Sequence, residues 1–225
     1  PVELKDYGFV AVCMGKGITN ILKDLGVDRV IEGGQTMNPS TDDILKAVKR
    51  VKAKTVYVFP NNKNIIMAAN QAAELVEDKK IVVIPSKSVP QCISAMVEFN
   101  DKKSAEANEK AMNKAIGRVT SGQLTYAVRD TEIDGIEIKK DDILGMVEGK
   151  IVTVGKDIDD VLNRVVSQMV DEDTEFLNVY YGKEIKKPQA DVMLKALETK
   201  YADDEIEVSF KKGGQPLYYY IISAE

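Results

Sequence analysis

Residues Lys54 to Gln71 read KTVYVFPNNKNIIMAANQ, and this stretch decides the fold class. Thr55 to Phe59 alternates β-branched and aromatic residues, which indicates a buried strand that ends at Pro60. A polar loop, Asn61 to Asn64, follows this strand, and apolar residues then recur at helical spacing. A strand that leads through a polar loop into a helix is typical of an open α/β sheet. In such sheets ligands and partners bind outside the carboxyl ends of the strands.

The loop Asn61-Asn62-Lys63-Asn64 has two interpretations. In the first, Asn61 or Asn62 simply caps the following helix with its side chain. A cap uses one side chain, however, and this loop offers three asparagines and a lysine. We therefore favour a recognition loop, in which Asn61, Asn62, Lys63 and Asn64 contact a partner or a ligand.

Similar strand–loop–helix units lie on both sides of this one. Phe9 to Met14, Arg29 to Ile31 and Lys80 to Ile84 are short apolar runs typical of buried parallel strands. Consecutive units of this kind predict a doubly wound parallel sheet with right-handed crossovers. Polar loops follow the second and fourth strands as well. The same sheet edge should therefore also collect the side chains of Gln35, Thr36, Asn38, Ser86 and Lys87.

The first loop imitates a nucleotide-binding turn. Gly15-Lys16-Gly17 follows a strand, and Glu32 ends the second strand, as in dinucleotide-binding proteins. Asn20 stands where that motif needs its third glycine. We favour a tight strand-to-helix turn at this position.

After residue 118 the pattern changes to short alternating segments. Asp134-Gly135 and Glu148-Gly149 indicate tight turns between antiparallel strands. Further helices and strands are predicted over Ile158–Met169, Phe176–Tyr181, Pro188–Thr199, Ile206–Phe210 and Leu217–Ile222. The chain is thus predicted to be α/β. A doubly wound parallel-sheet lobe spans 1–102, a connecting helix spans 103–118, and a C-terminal α+β lobe with a β meander and two helices spans 119–225.

The composition argues against several functional classes. The chain of 225 residues carries a formal charge of −5 and contains two cysteines and no histidine. Histidine is the commonest general base and metal ligand, so we expect no metal site, no cofactor and no catalysis in this chain. Neither half is basic enough for a nucleic-acid binder. No apolar run approaches the roughly 20 residues that span a bilayer, and no signal peptide opens the chain, so we expect a cytoplasmic protein.

Three motifs carry a resemblance to a known family: GGQTMNPST (33–41), PNNKNIIMAANQA (60–72) and SGQLTYAVRDTEIDG (121–135). Together they resemble the C-terminal region of the catalytic subunit of bacterial fatty acid kinase, a DhaL-type, dihydroxyacetone-kinase-like family. The resemblance runs through nearly the whole chain. It implies a role in fatty acid metabolism and phospholipid synthesis. It also implies that Mg-ATP binds a separate N-terminal kinase module, while a DegV-type protein presents the acyl carboxylate for phosphorylation.

A second resemblance is to the DegV fold itself, which has the same two-lobe architecture. In that family a histidine near the end helps to hold the fatty acid carboxylate, whereas residues 211–220 here read KKGGQPLYYY. The resemblances imply a non-catalytic region that docks the DegV-type fatty-acid-binding protein. The expected contacts are the polar loop residues and Arg129 of the third motif.

Other functions stay open at this point. The chain could bind an anion or an acyl chain at a degenerate DegV-like site, or it could be an enzyme that uses a nucleotide at Gly15–Asn20. The expected partners are the DegV-type protein and the chain's own N-terminal kinase module. A homodimer also stays open, and neither nucleic acid nor a membrane span is expected.

Overall fold

A sheet of four parallel strands organises the first of two units in the computed structural model, which describes residues 3–34 and 37–225. This unit contains the chain up to Met14 and then Ile18–Val119. The second unit contains Gly15–Gly17 and Thr120–Glu225.

The strand order in the first unit is β2-β1-β3-β4. The strands are β1 (Lys5–Cys13), β2 (Arg29–Glu32), β3 (Ala53–Phe59) and β4 (Lys80–Val83). The helices are α1 (Lys16–Asp24), α2 (Thr41–Arg50), α3 (Ile66–Glu74), α4 (Val89–Glu98) and α5 (Ala105–Gly117). All three strand pairings are parallel, so every strand ends at the same edge, as the sequence predicts.

The two faces of this sheet are packed differently. On one face Val10, Val12, Val56 and Val58 join one apolar cluster with inward residues of α2 and α3. On the other face the rings of Phe9 and Tyr57 stack with centroids 5.5 Å apart. This two-sided burial is what the continuous apolar strands predict.

The second unit is built on a six-stranded mixed sheet with the order β11-β10-β12-β5-β8-β9. Its strands are β5 (Thr120–Tyr126), β8 (Ile143–Val147), β9 (Lys150–Gly155), β10 (Phe176–Tyr181), β11 (Glu207–Lys212) and β12 (Tyr220–Ala224). Inward residues of α6 (Ile158–Met169) and α7 (Lys187–Lys200) form one core cluster with strand residues. A 3₁₀ turn (Ala202–Asp204) follows α7.

A short hairpin lies apart from this sheet. Its strands, β6 (Thr131–Ile133) and β7 (Ile136–Ile138), pair only with each other in the described residues. Asp134 and Gly135 both have positive φ, as the Asp-Gly turn predicts. Asp142 closes the base of the hairpin, because its carboxylate accepts the Lys139 N–H at 2.9 Å and pairs with Lys156.

The predicted fold class is confirmed: a doubly wound parallel sheet is followed by an α+β unit. The predicted last strand, 217–222, is shifted, because β12 begins only at Tyr220. Leu217 has a φ of 68°, which no β-strand accommodates. Helix α5 groups with the first unit. Within residues 3–34 and 37–225 there is no helix whose length and apolarity would let it cross a membrane.

Helix α6 packs onto β8 through a glycine. A Cβ on Gly145 would overlap Val165 and would lie 2.5 Å from Thr153 Cγ2. We predict that Gly145→Ala lowers the free energy of unfolding by about 1–3 kcal/mol, because the helix must shift outward. Gly117→Ala is the control, since a Cβ there meets nothing within 4 Å. Urea unfolding of both variants tests this; equal stabilities would contradict it.

The Asp142 carboxylate predicts a pH dependence. The hydrogen bond from Lys156, and then that from the Lys139 N–H, hold the pKa of Asp142 below its ordinary value. The charged form therefore stabilises the fold fully above the unfolded-state pKa of about 3.9, and this contribution is lost as the pH falls through the lower folded-state pKa. Asp142→Asn should be less stable than wild type at pH 7, and the difference should shrink in acid. Denaturant unfolding across pH measures this, with the exposed Asp203→Asn as control. A difference independent of pH would refute it.

Candidate functional site

Asn61 lies where the ends of three strands of the first unit meet. Its side-chain amide donates to the Val12 carbonyl near the end of β1 at 2.9 Å. Its backbone N–H donates to Ser86 Oγ, and Ser86 Oγ donates back to Asn61 Oδ1 at 2.7 Å. Ser86 follows β4 and is fully buried. Asn61 has a φ of 56°, a left-handed conformation that asparagine tolerates better than most residues. Asn61 therefore connects β1, β3 and the β4 loop.

Asn62 extends the connection to the loop after β2. Its side-chain amide donates to the Gly34 carbonyl at 2.6 Å, and its Oδ1 accepts the Asn64 N–H at 2.8 Å. The Gly34 N–H donates in turn to the Met37 carbonyl at 3.0 Å. All four strand ends are thus linked by hydrogen bonds at one edge, which we call the carboxyl edge.

Neither asparagine caps α3. The N-cap residue is Ile65, and no side chain makes a cap hydrogen bond there. The capping interpretation of this loop is therefore wrong. Asn61 and Asn62 direct their amides to neighbouring loops, which leaves the exposed residues of the loop to face solvent.

The exposed side chains of the carboxyl edge are polar groups and two methionines. Asn38, Lys63, Asn64 and Lys87 are exposed, as are Met37 (72%) and Met67 (71%). The Lys63 side chain makes no hydrogen bond or ion pair with any residue that the structure describes. We call these six residues the edge surface: Met37, Asn38, Lys63, Asn64, Met67 and Lys87.

The predicted site residues thus separate into two roles and two places. Asn61, Asn62 and Ser86 support the carboxyl edge from within, whereas Asn38, Lys63, Asn64 and Lys87 lie on its surface. Arg129 belongs to the second unit, where it is exposed just before β6. Gln35 and Thr36 lie outside the described residues.

Sequence reasoning missed the two methionines. Met67 follows Ile65 and Ile66 in an apolar run and is easily counted with the helix core, yet only Ile65 of the three is fully buried. Its position falls off the stripe of Ile65, Ala69 and Ala72. An apolar residue outside the core stripe was the available signal.

Neither cysteine is suited to nucleophilic chemistry. Burial raises the pKa of the Cys13 thiol, which lies 3.5 Å from Thr19 Oγ1. Burial also raises the pKa of Cys92, whose side chain is fully enclosed. Across the described ranges, no group of three or more His, Cys, Asp or Glu side chains could hold a metal ion.

The glycines of the Gly15–Gly17 turn have a packing role within the second unit. A Cβ on Gly15 would lie 2.6 Å from the Gly213 carbonyl oxygen, and one on Gly17 would overlap the Lys212 carbonyl oxygen. Only glycine permits so close an approach of two backbone segments. In a dinucleotide motif this closeness serves the pyrophosphate, whereas here protein backbone comes close instead.

Comparison with known proteins places these features in a family. The model of the FakA-like C-terminal family, which describes the C-terminal region of one type of fatty acid kinase subunit, matches residues 8–225. Protein YloV of Bacillus subtilis (strain 168) is 49% identical over 225 residues, which are 100% of this chain and 40% of that protein. The chain thus spans less than half the length of this relative.

Solved structures show the same fold at low sequence identity. A DegV family protein from Corynebacterium glutamicum aligns with a TM-score of 0.65 at 12% identity and covers 97% of this chain and 96% of its own. Streptococcus pneumoniae Fatty Acid Kinase (Fak) B3, solved with linoleic acid, aligns with a TM-score of 0.62 at 10% identity and covers 98% and 99%. The fold is therefore DegV-like, and the chain belongs to the FakA-like C-terminal family of fatty acid kinase.

Proposed function

We propose that this chain is the region of a fatty acid kinase that docks a DegV-type fatty-acid-binding protein. The observation that carries the proposal is the edge surface, an exposed polar and methionine-containing face held on an internally hydrogen-bonded base. Flexible methionine side chains adapt to a partner surface, and lysines add charge at its rim. The family match supports the kinase context.

We further propose that the phosphoryl transfer itself belongs to a separate Mg-ATP-binding module of the full-length protein. The chain spans 40% of its Bacillus relative, which leaves room for such a module in that protein. Both thiols of this chain are buried with raised pKa. Acyl-phosphate formation by this chain alone, with ATP, Mg²⁺ and a loaded partner, would contradict this part of the proposal.

The direct experiment is a calorimetric titration of the chain with Fak B3, both loaded with linoleic acid and free of it. Docking predicts saturable one-to-one binding to the protein. The alternative function, acyl or anion binding by the chain itself, predicts saturable binding of linoleic acid without any partner protein. The two outcomes are distinguishable in the same instrument.

Residues of the edge surface should contribute to binding and not to folding. We predict that Lys63→Ala or Met67→Ala weakens partner binding, and a hot spot would lose about 2 kcal/mol, roughly a thirtyfold rise in Kd. Unfolding free energies should change by no more than about 0.5 kcal/mol, because both side chains are exposed. The controls are Lys110→Ala on α5 and Leu75→Ala at the far end of α3, both exposed. Equal affinities for all four variants would move the site elsewhere.

The supporting residues should show the reverse pattern. We predict that Asn61→Ala lowers the free energy of unfolding by roughly 2–4 kcal/mol, from lost hydrogen bonds and a left-handed backbone that alanine disfavours. Asn61→Gly should lose about 1 kcal/mol less, because glycine accepts that backbone. Urea unfolding of both variants and of the exposed Asn64→Ala measures this. If Asn61→Ala and Asn64→Ala were equally stable, Asn61 would not be the structural anchor.

A further inference from the structure

Strand β2 has an unoccupied long edge. It is the outer strand of the first sheet and pairs only with β1 among the described residues, in a parallel register from Val10–Arg29 to Cys13–Glu32. On such a strand every second residue directs its N–H and C=O away from the sheet. These groups can pair with an extended segment of another chain.

A groove of about 390 Å³ runs beside this edge. All four residues of β2 line one side of it. The other side is a stripe of α2 at the spacing i, i+3, i+4, i+7, formed by Asp43, Lys46, Ala47 and Arg50. Ile31, at half-buried depth, and the small Ala47 give the groove an apolar floor. The shape therefore suits a narrow, extended ligand.

The groove is basic at one end. Arg29 begins β2 and Arg50 ends α2, and within the described ranges neither arginine makes an ion pair. The charges in between are already engaged: Lys46 pairs with Asp42 at 2.7 Å, and Asp43 accepts the Ser40 N–H at 2.9 Å as part of the α2 cap. The remaining carboxylate, Glu32, lies at the opposite end of β2.

We propose that this groove binds an extended acidic segment of a partner protein, which adds to β2 as a fifth strand. The main chain of the segment pairs with the open edge of β2, which supplies affinity. One carboxylate of the segment pairs with Arg29 and Arg50, and an aliphatic side chain packs on Ile31 and Ala47, which supplies specificity. The site is a different surface from the carboxyl edge and does not depend on the proposed fatty acid kinase function.

The test uses a defined probe, the peptide acetyl-Glu-Val-Glu-Val-Glu-Val-amide, titrated into the isotope-labelled chain and followed by NMR. We expect saturable shifts at the amides of Arg29–Glu32, slower hydrogen exchange at alternate residues of β2, and weaker binding at high salt. The double charge reversal Arg29→Glu with Arg50→Glu should raise Kd at least roughly tenfold. The matched control, Lys49→Glu with Lys52→Glu, makes the same charge change on exposed residues outside the groove and should leave Kd unchanged.

Several results would overturn the proposal. Equal binding of acetyl-Lys-Val-Lys-Val-Lys-Val-amide would show that the arginines select nothing. If inorganic phosphate reproduced the shifts without slowing exchange in β2, the groove would be an anion site and not a strand acceptor. Shifts that appeared with protein concentration alone would show that a second copy of the chain occupies the edge. Should the double reversal unfold the chain, Arg50→Gln provides the same comparison, and no loss of affinity there would also refute the proposal.

Discussion

The side chain of Asn61 makes the interaction on which the carboxyl edge depends. Where parallel strands end, carbonyls such as that of Val12 lose their sheet partners, and a buried carbonyl without a partner is costly. Asn61 satisfies that carbonyl and holds the buried Ser86 hydroxyl at the same time. Its left-handed backbone turns the chain so that Asn62 reaches Gly34. One residue thereby fixes the relative positions of the strand ends.

This arrangement separates support from recognition within one short loop. The amides of Asn61 and Asn62 are used inside the molecule, so the neighbouring Lys63 and Asn64 are presented from a fixed base. A preorganised surface loses less conformational entropy on binding than a mobile loop does. Met67, in the first turn of α3, adds an adaptable apolar side chain to the same surface.

Much of the fold could be predicted from the sequence, because apolar periodicity reports burial directly. The alternation of strands and helices, the parallel sheet and the hairpin at Asp134-Gly135 follow from local patterns of this kind. The place of the polar loops followed as well, since parallel strands all end at one edge.

The division of roles inside the site could not be predicted, because it depends on where side chains point. Polarity alone does not show that Ser86 is fully buried or that Asn61 turns inward. The glycines at Gly15 and Gly17 respond to backbone about 200 residues away in the sequence, a contact that no local pattern encodes. The shifted start of β12 has a similar origin in the left-handed backbone of Leu217.

Hydrogen–deuterium exchange of the chain, alone and with a saturating DegV-type fatty-acid-binding protein, tests the central claim most directly. The proposed docking requires new protection in residues 60–67 and 86–88, and little change in the strands behind them, which are already hydrogen-bonded. Protection confined to residues 120–225, or none at all while the partner is demonstrably bound, would show that the carboxyl edge is not the docking surface.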